Sequence, residues 1–341
     1  MSHKTDDESL PFVSVVIPAH NEGKFITDCI DSVLANDWPH DRLEILVIDH
    51  SSTDSTATLA RAAGAPVISI QGGNIGTVRN VGLKASKGDI IAYVDGDCTV
   101  PATWIRTAVN ILGSDKTIGA VGGPCLSPAG GTWIEHGLAP SSSRAGVAKS
   151  ANTLATSSLI LRTALLREIG GFDELLLSGE DDQLSNRIRA RGLSLVSASD
   201  CHIVHYGYPR TWRELIAKER WHGSNHLEVR SEFDLTLILS VVFLLSSLVI
   251  PILLSWTIFA RDELLFLVIA ATLSLQAISP ILYAAKRTMQ SPRDFRFAVS
   301  FLAVGYAYFA GHGLGVSANY LRKLRSVPSI SGRDSKTSVN K

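Results

Sequence analysis

Short, uninterrupted apolar runs alternate with stretches of helical periodicity along the first third of the chain. The apolar runs fall at 13–17, 43–48, 66–70, 89–94 and 118–122. The helical stretches fall at 23–36, 54–64, 76–87 and 102–113. Continuous apolar runs are typical of parallel strands that are buried on both faces. The alternation therefore predicts a doubly wound α/β sheet, which binds ligands at the carboxyl ends of its strands.

Two long apolar segments without any charge follow in the last third of the chain. Residues 235–260 and 264–285 are each long enough to cross about 30 Å of hydrocarbon as a helix. Arg261, Asp262 and Glu263 separate them. A pair of buried helices in a soluble domain is the alternative, but globular helices seldom run so long without a charge. The pattern predicts a tight transmembrane hairpin.

Residues 297–321 form a third apolar segment, which glycines, polar residues and His312 interrupt. The stretch before this segment is basic, and so is the tail after residue 321. Basic flanks favour the cytoplasmic side of a membrane, whereas a third crossing would place the tail outside. A re-entrant or interfacial segment is therefore the alternative to a third crossing. We expect a membrane region at 231–325 with two to three transmembrane helices, entered from the cytoplasm.

The composition of the chain argues against a protein that binds nucleic acid. The 341 residues carry 32 basic and 32 acidic side chains, so no positive field favours a nucleic-acid partner. The four cysteines lie far apart without a CxxC pair, which is typical of reduced structural thiols. The polar start of the chain has no signal-peptide pattern. We expect disorder at 1–11 and 326–341 and a cytoplasmic domain at 12–230.

The stretch AYVDGDC, residues 92–98, ends a predicted strand with two carboxylates two positions apart. Alternate residues of a strand point to the same face, so Asp95 and Asp97 would bring like charges together. One interpretation is a turn, in which Asp and Gly are favoured. The other is a site for Mg²⁺ or Mn²⁺, which prefer hard oxygen ligands. This stretch alone leaves both interpretations open.

Polar residues also follow the first and second predicted strands, at 18–22 and 49–54. Each group could simply cap the helix that follows it. Together with Asp95 and Asp97, however, they would line one crevice at the strand ends. No GxGxxG follows the first strand, so a dinucleotide site is not expected.

Five motifs in sequence order resemble those of family 2 glycosyltransferases, which have the GT-A fold. They are VSVVIPAHNE, ILVIDHSSTDST, GTVRNVGLKASKGDIIAYVDGDC, GGFDE and GEDDQLSNRIRARG, all within residues 12–225. The resemblance implies a GT-A domain, a Rossmann-like mixed sheet that binds a nucleotide-diphospho-sugar. It also implies that Asp95 and Asp97 hold a divalent metal, Mg²⁺ or Mn²⁺, on the two phosphates of the donor.

The resemblance implies donor contacts for Pro18, Ala19, Glu22, Asp49, Arg79, Asp95 and Gly96. Asp49 is similar to the acid that accepts a hydrogen bond from the nucleotide base. Arg79 would meet phosphate or ribose, with an ordinary surface arginine as the alternative. His205 is similar to a histidine that completes the metal shell or touches the diphosphate, although a lone histidine is more often structural. His50 departs from the pattern, since many relatives have a second Asp there, and this leaves the donor preference open.

The segment after residue 178 is predicted to be a helix from about Glu180 to Gly192, and it begins with three acids. One interpretation of these acids is that they only stabilise the helix dipole at its N-terminus. Helical spacing puts Asp181 on the apolar face, which directs its carboxylate into the cleft. By resemblance, Asp181 is the general base on the acceptor hydroxyl, and Glu180 lies on the acceptor or diphosphate side. A single base opposite the leaving group implies inversion at the anomeric carbon.

Residues 201–226 lead from this domain into the membrane region. Arg220 and Trp221 resemble the end of the QxxRW motif of processive polysaccharide synthases, but Ala217 stands in the place of Gln. The arginine could pair with a diphosphate, and the tryptophan could stack on a sugar. An amphipathic interfacial helix with a tryptophan anchor is the alternative.

These features predict a multi-pass protein of the cytoplasmic membrane. It would move a sugar from a nucleotide-diphospho-sugar to a lipid-linked or glycan acceptor at the cytoplasmic face, in cell-surface glycan synthesis. Membrane lipid is a further expected partner. A processive polysaccharide synthase and a non-catalytic membrane subunit for glycan assembly are the alternatives. The Gly-, Pro- and Ser-rich stretch 124–153 is predicted to be a mobile lid.

Overall fold

The computed structural model of the chain describes residues 10–139, 146–223, 235–260, 263–290 and 298–326. The predicted disorder at the two chain ends falls almost wholly outside these residues. Residues 140–145 of the predicted lid, and residues 291–297 of the basic stretch before the third apolar segment, also lie outside them.

Eleven strands are present among the described residues. They are β1 Val13–Ala19, β2 Leu43–His50, β3 Val67–Ile70, β4 Ile90–Tyr93, β5 Cys98–Thr99, β6 Ile118–Gly122, β7 Cys125–Leu126, β8 Ala148–Ala151, β9 Leu159–Arg162, β10 Ser194–Ala198 and β11 Ile203–His205. Eight helices lie between or directly after them. They are α1 Ile26–Leu34, α2 Thr56–Ala62, α3 Ile75–Ala85, α4 Trp104–Ser114, α5 Trp133–Leu138, α6 Thr163–Glu168, α7 Glu180–Ala190 and α8 Trp212–Gly223. The predicted strands and helices of the first 122 residues are all confirmed.

The strands form one large mixed sheet and one small sheet. The large sheet has eight strands in the order β3-β2-β1-β4-β9-β6-β10-β8. β1 runs parallel to β2 and β4, whereas β9 is antiparallel to both of its neighbours, β4 and β6. The small sheet has the order β5-β11-β7. The predicted α/β fold is confirmed as a mixed sheet, with helices packed on both faces.

The large sheet carries an apolar layer on each face, which explains why its strands read as continuous apolar runs. Ile17 packs on one face with Val47 and with Trp104 of α4, and all three are fully buried. The adjacent Val16 packs on the other face, with Ile48. Each such side chain stabilises the fold by roughly 1.5–3 kcal/mol. The rigid sheet therefore fixes the positions of the residues that follow its strands.

Three long helices follow the α/β domain: α9 Leu235–Ala260, α10 Glu263–Gln290 and α11 Ala298–Ser326. The first two contain 20-residue stretches, Leu237–Trp256 and Leu267–Lys286, that are long and apolar enough to cross a membrane. Most of these stretches is not covered by the rest of the protein. The two predicted apolar helices are thus present as an antiparallel pair. α11 is one continuous helix, so no chain reversal occurs within the third apolar segment.

Glycine residues allow α11 to pack closely against α8. This contact joins the α/β domain to the C-terminal helices. A side chain at Gly315 would collide with the backbone carbonyl of Arg220 in α8. A side chain at Gly223 would meet the carbonyl of His312 in α11, and one at Gly311 would meet Ile216. The end of α8 therefore has a fixed position against the C-terminal helices.

Replacing Gly315 with leucine should separate α8 from α11, because the new side chain has no space beside the α8 backbone. We expect the thermal midpoint of the detergent-purified protein to fall by several degrees. Gly113→Ala is the matched control, since Gly113 also lies in a helix, α4, but an added Cβ meets nothing within 4 Å. Equal midpoints for Gly315→Leu and wild type would contradict the close packing.

Candidate active site

A cleft of about 710 Å³ opens at the carboxyl ends of β1, β2 and β4. One wall comes from these strand ends and from the start of α7. The other wall comes from α8, α10 and α11. The cleft therefore lies between the α/β domain and the C-terminal helices.

The structure brings most of the predicted site residues into this one cleft. They are Pro18, Ala19, Glu22, Arg79, Asp95, Gly96, Asp97, Glu180, Asp181 and Trp221. Three predicted residues do not line it. Asp49 and His205 are covered by neighbouring residues, and Arg220 is exposed on α8.

The carboxyl ends of β1 and β4 meet at Asp95-Gly96-Asp97. The amide of Gly96 donates to the carbonyl of Pro18 over 3.2 Å, and Glu22 packs over Gly96. Burial, together with the carboxylates of Asp97 and Asp95, raises the pKa of Glu22 to about 8. Three acids crowded in this way repel each other, and a bound cation would offset that repulsion.

Asp97 and His205 are brought together by the small sheet. β5 and β11 pair so that His205 lies opposite Cys98, and Nε2 of His205 is 3.5 Å from Oδ2 of Asp97. Nδ1 of His205 is buried and has no hydrogen-bond partner among the described residues. Burial lowers the pKa of His205, although Asp97 acts in the opposite direction. A neutral imidazole beside a carboxylate is a donor set that fits Mn²⁺ or a similar divalent ion.

The candidate metal cluster differs from the predicted one in one member. The ligand atoms of Asp97, Cys98 and His205 all lie within 4.8 Å of one another. The sequence analysis named Asp95 in place of Cys98. Asp95 instead directs a carboxylate oxygen at Arg79, while its side chain is still 29% exposed to the cleft. The thiol of Cys98 is buried, and burial first and the nearby Asp97 second raise its pKa well above the usual range.

Arg79 of α3 joins Asp95, which follows β4, to the start of α7. Its side chain is only 4% exposed, and it donates to Glu180 over 2.6 Å and to Asp95 over 3.1 Å. Burial lowers the pKa of Arg79, but Asp95 and Glu180 outweigh burial and raise it overall. Arg79 is therefore a buried cation between two motifs, not the surface arginine that the sequence left as an alternative.

Asp181 lies in the first turn of α7, as predicted, and is half-buried. Gly179 precedes this helix with φ of 81°, a conformation that favours glycine and that turns the chain into the cleft. Burial and the neighbouring acids Glu180 and Asp182 raise the pKa of Asp181 to about 6. A carboxylate with such a pKa can accept a proton near neutral pH.

Asp49, the second-last residue of β2, has a buried carboxylate in which only one of the two oxygens accepts a hydrogen bond. Ser69 of β3 donates to Oδ2 over 3.4 Å, and Oδ1 has no partner among the described residues. A buried carboxylate oxygen without a donor is costly, so it fits a site that a ligand N–H completes. Because Asp49 does not line the cleft, its contact with the nucleotide base stays a prediction.

Three residues of the cleft wall come from the C-terminal helices: Tyr283 of α10, and Tyr308 and His312 of α11. The sequence analysis mentioned His312 only as an interruption and did not name either tyrosine. Ionisable and aromatic residues within long apolar helices were the available signal, since such residues commonly mark functional positions.

The end of α8 is held over the cleft by the loop before α7. Ser178 Oγ lies 3.1 Å from the carbonyl of Trp221 and 3.2 Å from that of His222. The indole of Trp221 is 45% exposed and lines the cleft, whereas Arg220 faces away from it. Of the predicted pair, Trp221 therefore lies in the cleft and Arg220 lies outside it.

The predicted lid contains ordered elements where it is described. α5 has a capping box, in which Thr132 and Glu135 each bond to the backbone of the other. The hydroxyl of Tyr283 donates to the carbonyl of Gly137 over 3.1 Å, which ties α5 to α10. Residues 140–145 lie outside the described part, so the lid itself stays a prediction.

Comparison with known proteins gives a consistent class. The family model described as glycosyl transferase family 2 matches residues 14–162, and the one described as glycosyl transferase family group 2 matches residues 90–310. Glycosyltransferase AglE of Haloferax volcanii is 32% identical over 236 residues, which cover 65% of this chain and 75% of AglE. TarS of Staphylococcus aureus, a poly(ribitol-phosphate) beta-N-acetylglucosaminyltransferase, is 28% identical over 105 residues, which are 29% of this chain and 18% of TarS.

The structure of the mannosyltransferase PcManGT from Pyrobaculum calidifontis, in complex with GDP-Man and Mn²⁺, covers 93% of this chain. The match extends over 88% of that protein with a TM-score of 0.54 and 18% identity, a likeness of fold. The mixed sheet with its cleft at the strand ends is thus a GT-A fold. The chain belongs to glycosyltransferase family 2.

Proposed function

We propose that this glycosyltransferase is membrane-anchored, metal-dependent and inverting, and that its acceptor is lipid-linked. It would take a sugar from a nucleotide-diphospho-sugar at the cytoplasmic face of the membrane. The observation that supports this most is that one cleft contains Asp95, Asp97 and Asp181 and has a second wall formed by the C-terminal helices.

The donor half of the cleft supports a nucleotide-diphospho-sugar. PcManGT, which shares the fold, was solved with GDP-Man and Mn²⁺. Asp97 and His205 would hold the metal, with Asp95 and the buried thiol of Cys98 beside it. When bound, a divalent cation offsets the charge that develops on the leaving diphosphate. Asp49, with one unpartnered carboxylate oxygen, would accept a hydrogen bond from the base.

Asp181 would act as the general base. Its pKa of about 6 leaves it ionised at neutral pH, so it can take the proton of the acceptor hydroxyl. That oxygen then forms a bond to the anomeric carbon while the bond from this carbon to the diphosphate oxygen breaks. The nucleoside diphosphate leaves with the electron pair. One displacement of this kind inverts the anomeric configuration.

The C-terminal helices support a membrane location. α9 and α10 each contain a stretch that could cross a membrane, and α10 and α11 contribute directly to the cleft. A cleft that borders membrane helices suits an acceptor that is itself held in the bilayer. The basic residues that flank the third apolar segment support a cytoplasmic position for the catalytic domain.

Metal removal tests the donor half. We expect the purified protein to release nucleoside diphosphate from one of the common sugar nucleotides with Mn²⁺ or Mg²⁺ and a membrane lipid extract. EDTA should reduce the rate by about 100-fold or more, since metal assistance contributes several kcal/mol. Asp97→Asn should do the same, and Asp28→Asn, which removes an exposed acid of α1 outside the cleft, should not. Full turnover in EDTA would contradict metal dependence, and turnover without the extract would favour hydrolysis or a polymerase.

A further inference from the structure

One wall of the cleft is made by the C-terminal helices together with α8. Tyr283, Tyr308 and His312 line it, together with Lys218 and His222 of α8. None of these five residues belongs to the donor or metal groups described above. The family motifs in the sequence do not include the three from α10 and α11 either.

This wall is built as a connected group of side chains. His312 is only 4% exposed, and its Nδ1 lies 3.0 Å from Oγ of Ser240 in α9. The ring of Tyr308 lies nearly parallel to the imidazole of His312, with 5.9 Å between ring centroids and 7° between planes. The ring centroid of Tyr283 lies 5.4 Å from that of Tyr308. Burying an imidazole within apolar helices costs free energy of folding. Ionisable residues in such helices therefore commonly mark functional positions.

The charges on this side of the cleft favour an anion. Lys218 and His222 add a cation and a second imidazole to the wall, and the ammonium of Lys218 lies 5.4 Å from the ring centroid of Tyr208. The acid on α8 that reaches this wall, Glu219, is buried and lies 3.3 Å from Nδ1 of His222. The acids of α7, with Asp181 among them, lie on the opposite wall. Hydroxyl, imidazole and ammonium donors grouped in this way suit phosphate oxygens.

We propose that Tyr308, His312 and Lys218 form a subsite for the phosphate-bearing head group of the lipid acceptor, with the ring of Tyr283 packed against Tyr308. The apolar surfaces of α9 and α10 next to this subsite would receive the hydrocarbon chain. The acceptor hydroxyl would then enter the cleft from the membrane side and approach Asp181, while the donor enters at the strand ends. This inference rests on the proposed function, because it specifies the acceptor of the same reaction.

Equilibrium binding of a short-chain polyprenyl phosphate to the detergent-purified full chain tests the subsite. We expect Tyr308→Ala and His312→Gln each to raise the Kd by about tenfold or more, since each removes a packed or hydrogen-bonding partner of the head group. Tyr320→Ala is the matched control, because Tyr320 is a 56% exposed tyrosine of the same helix that does not line the cleft. The corresponding polyprenol, which lacks the phosphate, should bind at least tenfold more weakly to wild type.

Two further measurements separate the subsite from a loss of folding. Ser240→Ala removes the hydrogen-bonding partner that orients His312 but leaves the side chains of the cleft wall in place, so the Kd should rise by less than in His312→Gln. The affinity for UDP and for GDP in the presence of Mn²⁺ measures the donor half of the cleft. It should be the same in every variant as in wild type. Equal affinity of wild type and Tyr308→Ala, equal affinity for polyprenol, or a loss in Ser240→Ala as large as in His312→Gln would overturn the proposal. Failure to bind either nucleotide in the wild type would instead contradict the proposed function.

Discussion

Replacing Asp181 with asparagine should lower the turnover number by about 1,000-fold while the affinity for the nucleotide donor stays the same. A general base contributes roughly 10²–10⁴-fold to the rate, and the amide of asparagine cannot accept the proton. Asparagine has nearly the same size and polarity, and the carboxylate of Asp181 accepts a hydrogen bond from the backbone amide of Asp182 over 2.9 Å. An amide oxygen can accept the same bond, so α7 should keep its start. Single-turnover transfer and equilibrium binding of the donor measure the two quantities separately.

The pH profile gives an independent check of the same role. Burial raises the pKa of Asp181 to about 6, so the carboxyl is protonated and inactive as a base below that pH. The value of kcat/KM should therefore fall tenfold per pH unit below about 6 and become constant above it. Asp181→Asn should lose this acidic limb, because it has no group to titrate there.

Asp182→Asn is the matched control for Asp181→Asn. Asp182 is the next residue of the same helix turn, and its carboxylate accepts a hydrogen bond from Thr153 over 2.7 Å. We expect this variant to lose less than tenfold in turnover and to keep the acidic limb of the profile. If both variants lost the same activity, charge at the start of α7 would be the cause, and Asp181 would not be the base.

The sequence predicted the strand-end half of the site because parallel strands impose a simple rule. The residues that follow β1, β2 and β4 must lie at one edge of the sheet, whatever their side chains are. Glu22, Asp49 and Asp95 could therefore be grouped before any coordinates were known. The start of α7 was predicted from its three acids, and its end from Gly192.

Contacts over long sequence separations could not be predicted in the same way. Arg79 and Glu180 are 101 residues apart, and no local pattern indicates that they meet. β9, at Leu159–Arg162, contains only three successive apolar residues, and periodicity does not distinguish so short a run from part of a helix. Cys98 joined the candidate metal cluster only through the pairing of β5 with β11.

The wall formed by α10 and α11 is the largest part of the cleft that the sequence did not reveal. Hydropathy predicts where such helices lie along the chain, but it does not predict which of their faces meets another domain. That information depends on glycines such as Gly315, whose missing side chain allows α8 to pack closely. A glycine in an apolar helix has several possible roles. The sequence alone therefore does not identify the surface on which α8 and α11 pack.

Replacing Arg79 with methionine should destabilise the protein more than any substitution of a surface ion pair, and it should also lower activity. Arg79 is buried and pairs with Asp95 and Glu180, so its loss leaves two carboxylates facing each other without a cation. Breaking a buried pair in this way costs about 3 kcal/mol or more. Asp95 and Glu180 would also lose their common partner. The bound sugar donor and the carboxylate of Asp181 would then no longer keep their relative positions. Thermal unfolding and the KM for the donor measure the two effects.

Arg106→Met is the matched control, because Arg106 pairs with Asp37 over 2.7 Å on the surface, where the two side chains are 35% and 64% exposed. Exposed pairs contribute about 0–1 kcal/mol, so its thermal midpoint should stay close to that of wild type. The double variant Arg79→Met with Glu180→Gln should recover part of the stability lost in Arg79→Met, since one of the two unpaired charges is removed. Equal midpoints for Arg79→Met and Arg106→Met would contradict the structural role of Arg79. A stable Arg79→Met with an unchanged donor KM would also exclude Arg79 as the link between the two halves of the cleft.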